Sequence, residues 1–123
     1  MNTEQQEQIP QALYSIEDLK KYGLKAENLL EFRVEGDSMD GVLPGGSWAL
    51  TDRSRTAIQD GRAYVLRRGE DMQVKYLLQR PDGGVIIRSH NPKYQDVVVA
   101  ASELEHVEVI GEVVGSRRTW IEP

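Results

Sequence analysis

Downstream of Gly23 the chain breaks into seven short segments, "LEFRV", "SWALT", "AYVLR", "QVKYLL", "GVIIRS", "DVVVA" and "HVEVIGEVV", and this succession restricts the fold more than any other feature. Each is rich in β-branched or aromatic residues, which fit a pleated surface. The intervals "LPGG", "QDG", "RRGED", "RPDGG" and "HNPK" are written in turn residues. Short strands joined by tight turns pair with their neighbours in the antiparallel sense. The pattern predicts a mainly β fold: a curled antiparallel, barrel-like sheet with one or two short helices. One helix is expected over "SIEDLKKYG", where Ser15 caps the start, Asp18 follows three residues later, Lys20 and Lys21 suit the last turn and Gly23 ends it. The opening "MNTEQQEQIP" is Gln/Glu-rich and nearly free of apolar groups. Residues 1–11 are therefore expected as a flexible arm or linker remnant, and residues 12–123 as one domain.

Composition removes several function classes. With 39% hydrophobic and 28% charged residues, a chain of 123 residues can bury a core. Its net charge of −5 opposes a direct grip on nucleic acid, and Arg67-Arg68 and Arg117-Arg118 are isolated pairs. No cysteine is present and the only histidines are His90 and His106, so no disulfide, thiolate nucleophile or structural zinc site is expected. Nothing in the sequence calls for a metal or cofactor. The longest apolar run, Val97 to Ala101, is far too short to span a bilayer, and no basic-then-apolar leader opens the chain, so a cytoplasmic protein without a membrane partner is expected.

The segment "VEGDSMDGVLPGG" sets Ser38 in a polar turn. From residue type alone it either closes that turn or acts as a nucleophile. A serine hydroxyl attacks a carbonyl only when a neighbouring base takes its proton. His90 lies in a turn and His106 alternates with valines on a strand; both read as exposed or edge histidines. The other known base for serine is lysine. It works only if desolvation strips its charge, which requires a rigid, apolar element. Lys75 in "DMQVKYLLQ" meets that requirement better than Lys20, Lys21 or Lys25 in the helical segment, or Lys93 in a turn. Met72, Val74, Tyr76 and Leu78 share one face of that strand; Gln73, Lys75 and Leu77 share the other. A solvent-facing Lys75 fits the same pattern.

Taken in order, "VEGDSMDGVLPGG", "DGRAYVLRRGEDMQVKYLLQ", "IIRSHNPKYQ" and "VIGEVVG" resemble the carboxy-terminal domain of self-cleaving repressors of the LexA and lambda type, which are serine–lysine peptidases. The resemblance runs from about residue 12 to residue 116, and Lys75 follows Ser38 by 37 positions, a usual spacing in that family. It implies that Ser38 is the nucleophile and Lys75 the uncharged general base, with backbone N–H groups around Asp37 and Ser38 holding the oxyanion. It also implies a β-rich domain that self-associates as a homodimer or higher oligomer, with residues Glu105 to Val114 as the contact surface. A RecA filament on single-stranded DNA would favour cleavage, and operator DNA would be reached only through an absent amino-terminal domain.

The chain departs from the family pattern in three places. It contains no Ala-Gly or Cys-Gly pair, the usual scissile bond. Only 37 residues precede Ser38, too few for a helix-turn-helix domain, so a carboxy-terminal fragment is expected. The proline that follows the serine in the family is Asp40-Gly41 here, and its later Gly-Asp is Gly46-Ser47. The leading expectation is a phage-type repressor domain that dimerises and cuts its own upstream linker. The alternatives are an idle oligomerisation module under antirepressor control, an accessory subunit like UmuD, and an enzyme like signal peptidase. Trp48 and Trp120 are expected to pack and nothing more.

Overall fold

A computed structural model describes residues 6–8, 14–117, 120 and 121. All seven expected strands form, at Leu29–Arg33 (β2), Trp48–Asp52 (β3), Arg62–Arg68 (β4), Asp71–Gln79 (β5), Val85–Arg88 (β6), Val97–Val99 (β7) and Val107–Ser116 (β8). An eighth, Gln6–Gln8 (β1), lies within the segment expected as a flexible arm; it pairs antiparallel with β2 from Gln6↔Phe32 to Gln8↔Leu30. Apolar periodicity did not mark it because a strand on an open edge is held by backbone bonds that any sequence supplies.

Every ladder is antiparallel, in one sheet of order β1-β2-β3-β8-β4-β5-β6-β7. The mainly β expectation therefore holds, with a sheet that curls but stays open, since β1 and β7 are its two ends. Register shifts at Leu50/Thr51 against β8 and at Val65/Leu66 against β8 add local twist on both sides of the longest strand. β8 lies between β3 and β4, but it meets β4 through residues 107–112 and β3 through residues 112–116, so within the expected contact surface, Glu105 to Val114, residues 107–110 pair with β4 alone among the described residues.

The expected helix is Ile16–Lys21 (α1). Ser15 Oγ accepts from the Asp18 N–H at 3.0 Å, and the chain leaves α1 through Gly23 at φ 68°. There the Leu24 N–H reaches the Leu19 carbonyl at 2.8 Å, and the Gly23 N–H reaches that of Lys20 at 3.1 Å, which closes the carboxy-terminal turn. α1 covers Leu29, Leu50 and Val114 with Leu19, joined by Tyr14 and Leu24. Tyr22 and Trp120 stack over that cluster with ring centroids 4.7 Å apart, while Trp48 carries Arg117 on its face at 4.8 Å. Among the described residues no helix is long and apolar enough to cross a membrane.

Two further clusters position the site. Phe32, Val34, Met39, Leu43, Val65 and Val74 join β2 and the loop after it to β4 and β5. Tyr64, Leu66, Leu77, Val85 and Ile87 pack under β4, β5 and β6. β5 contributes to both: Val74 is 4% exposed and Leu77 0%. β5 is thus buried on both faces and held by β4 along residues 71–77 and by β6 along residues 76–79, and Lys75 pairs with Tyr64.

Candidate active site

Ser38 sits on the loop between β2 and β3, and the local sequence explains its pose. Met39 is fully buried and Leu43 nearly so, which plugs the loop into the core on one side of the serine. The Leu43 N–H reaches the Met39 carbonyl at 2.8 Å. The loop is closed at its base by Val34 N–H to Ser47 carbonyl at 2.9 Å and Gly46 N–H to Val34 carbonyl at 2.7 Å. Ser38 itself stays half-buried, at the wall of a cleft of about 300 Å³. Phe32, Val34, Met72 and Val74 give that cleft an apolar floor, and Lys75 lines it together with Ser38 and Asp37. Residues separated by 37 positions in the chain thus share one cavity.

Lys75 is half-buried, and burial pulls its amine below the ordinary lysine value. Its Nζ donates to Ser89 Oγ at 2.9 Å and lies 5.7 Å from the centre of the Tyr94 ring. The contrast with Lys93 is instructive, because Lys93 also reaches the serine loop. Its Nζ pairs with Asp37 Oδ2 at 3.0 Å on the surface, and that carboxylate pushes Lys93 above the ordinary value. Of the two lysines beside the loop, only Lys75 is moved toward a neutral amine.

The turn after β6, residues 89–94, was read from sequence only as turn chemistry and as part of the resemblance. In the structure it ties the loop and β5 together. The Asn91 N–H donates to the Ser38 carbonyl at 2.9 Å, and Asn91 Nδ2 to the Asp37 carbonyl at 3.0 Å. The Tyr94 hydroxyl and the Lys93 amine both hold the Asp37 carboxylate; the Tyr94 bond, then the Lys93 bond, keep that carboxyl below the usual range. His90 is exposed; its Nδ1 bonds the Tyr76 hydroxyl at 2.8 Å, and its ring lies against Gly41. A Cβ at Gly41 would come 2.8 Å from His90 Cδ2, and Gly41 has φ +105°, so a glycine fits both the backbone and the space at this position. His106 is exposed on the turn Ala101–His106 and faces Glu103 and Glu105 at 3.4 and 3.6 Å.

A buried polar cluster went unnoticed in the sequence. Glu31, in the middle of β2, is 0% exposed and grips Arg117 with two bonds of 2.8 and 2.9 Å, while the Tyr14 hydroxyl donates to it at 3.1 Å. Burial, then the Glu31 carboxylate, push Tyr14 well above the usual phenol range.

A family model described as Peptidase S24-like matches residues 1–114 of this chain. The chain is 33% identical over 102 residues to repressor protein CI of Enterobacteria phage phi80, covering 81% of this chain and 42% of that protein. It is 32% identical over 101 residues to an uncharacterized HTH-type transcriptional regulator of Haemophilus influenzae, covering 82% and 42%. It is 39% identical over 75 residues to the LexA repressor of Burkholderia vietnamiensis, covering 59% and 34%. The chain thus spans about two fifths or less of the length of these curated relatives.

Proposed function

This chain belongs to the Peptidase S24-like family, and from that premise we propose that it is the carboxy-terminal regulatory domain of a phage-type repressor that self-associates and cuts its own upstream linker. Ser38 Oγ attacks the carbonyl of a linker peptide bond while Lys75 takes its proton. The tetrahedral oxyanion rests on backbone N–H groups at Asp37 and Ser38. Lys75 then gives the proton to the leaving amine, and water releases the acyl group from Ser38. Tethering the substrate raises its effective concentration, which lets a weak nucleophile suffice. Relief of repression follows when the linker is cut, and a RecA filament is the expected stimulus.

The observation that carries this reading is the single cleft lined by both Ser38 and Lys75, with the lysine amine depressed by burial and the neighbouring Lys93 raised by its carboxylate partner. The test uses the repressor that carries this domain behind its linker. Incubated at alkaline pH, or at neutral pH with RecA on single-stranded DNA, it should yield two fragments on a denaturing gel. Ser38→Ala and Lys75→Ala should each abolish the fragments. Cleavage that survives either change defeats the peptidase reading. An intact chain that still self-associates in sedimentation would instead identify an assembly module.

A further inference from the structure

We propose that Ser89 is a positioning residue for Lys75, and that the turn 89–94 sets the base and the nucleophile loop in one frame. The proposal rests on the Ser38–Lys75 reading above and adds to it a third side chain. The register of the hairpin carries it. β5 and β6 pair from Gln79↔Val85 through Tyr76↔Arg88. The ladder ends there, and Ser89 leaves β6 one residue past the last pair, where the continued register turns it toward Lys75; side chains at opposed positions project from the same face of a sheet. The hydroxyl lies 2.9 Å from Lys75 Nζ. Two residues on, Asn91 bonds the carbonyls of both Asp37 and Ser38, and Lys93 and Tyr94 hold the Asp37 carboxylate. A single short turn thus touches the base at its first residue and the nucleophile loop at its third, fifth and sixth.

What the hydroxyl does follows from the valence of an amine. A neutral lysine nitrogen has two N–H bonds and one lone pair, and rotation about Cε–Nζ moves the lone pair among three staggered directions. Ser89 Oγ accepts one N–H and so halts that rotation, which leaves the lone pair to a defined direction. The proton path is unchanged: Ser38 gives its proton to the Nζ lone pair, and the same nitrogen returns it to the leaving amine. Ser89 neither gains nor loses a proton over the cycle. It acts through Lys75 and touches no substrate.

The test is Ser89→Ala and Ser89→Thr in the linker-carrying repressor, with first-order self-cleavage followed across pH. We expect Ser89→Ala to cleave about tenfold more slowly, the reach of one positioning hydrogen bond, over the whole pH range including the alkaline plateau. Ser89→Thr, which keeps the hydroxyl, should stay within about threefold of wild type on the same scale. Loosened packing would give a different signature. Water admitted around Lys75 would raise its pKa, so the profile of Ser89→Ala would shift to higher pH and its plateau would return to the wild-type rate; that result overturns the proposal. So does a wild-type rate at every pH in a protein where Lys75→Ala is dead, and in that case the peptidase reading stands without Ser89. If wild type itself fails to cleave, side-chain NMR of Lys75 decides. Faster reorientation of Nζ in Ser89→Ala than in wild type supports the positioning role even as the peptidase reading falls, and unchanged reorientation removes it.

Discussion

Glu31→Ala should be one of the costlier single changes in this domain, and its size can be worked from the contacts. The carboxylate is 0% exposed and accepts three hydrogen bonds, two from Arg117 and one from the Tyr14 hydroxyl. Breaking a buried pair by deleting one partner costs about 3–5 kcal/mol, because the group left behind stays desolvated. Here the group left behind is Arg117, whose side chain is 35% exposed and can turn back to water. That places Glu31→Ala at the low end, about 3 kcal/mol, or roughly 10 °C in melting temperature for a domain of this size. The reverse deletion strands the carboxylate. Glu31 has no route to solvent, so Arg117→Ala should cost more than Glu31→Ala. Urea titration followed by tryptophan fluorescence reads both numbers, since Trp48 lies against Arg117. A loss below about 1 kcal/mol for Glu31→Ala, the range of ordinary surface changes, would refute the reasoning. So would an inverted order of the two variants. The pair matters to the site because β2 carries β1 on its outer edge and leads directly into the serine loop.

Two further outcomes are expected. Lys75→Met should abolish self-cleavage and at the same time stabilise the domain at neutral pH. A lysine held below its ordinary value when folded binds fewer protons than in the unfolded chain, so wild-type stability rises with pH between the folded and the ordinary lysine values. The gain in Lys75→Met should therefore be largest below the folded value and vanish above the ordinary one, in urea titrations at stepped pH; a gain independent of pH would contradict it. Gly41→Ala should destabilise by about 1–2 kcal/mol through its left-handed backbone alone, and by more through the 2.8 Å approach of its Cβ to His90. Gly41→Ala combined with His90→Ala should recover only the steric part, and full recovery in the double variant would show that the backbone carries no strain.

Much of the fold is written locally. Each of β2 to β8 is a run of β-branched or aromatic residues between turn residues, and Ser15 and Gly23 bracket α1 with the chemistry their positions demand. The strand order is a different kind of information. Nothing in "HVEVIGEVV" announces that it will separate β3 from β4, because that placement depends on register between segments far apart in the chain. β1 was missed for the opposite reason: Gln6–Gln8 offers backbone bonds to an open edge and no apolar signature to read. Glu31 was equally silent. On β2 it alternates with Leu30 and Phe32 like any outward residue, and its burial exists only because Arg117 and Tyr14 arrive from distant parts of the chain.

The cleft shows where local reading stops and where it had one more step available. Residue type leaves Ser38 as a turn closer or a nucleophile and Lys75 as a surface lysine or a base; the resemblance assigns their roles, and the structure adds that both line one cleft. Asn91, Lys93 and Tyr94 could not be assigned to Asp37 in that way, because their contacts cross 54 to 57 positions. Ser89 is different. Once the structure sets Gln79 opposite Val85, counting outward along the antiparallel hairpin brings residue 89 toward residue 75, one position past the last pair, Tyr76↔Arg88. The Ser89 hydroxyl, 2.9 Å from Lys75 Nζ, is thus a hydrogen-bond partner by position, not by motif. In a serine–lysine cleft the hydroxyl to look for is therefore twofold: one that attacks, and one that the hairpin register sets across the sheet from the base.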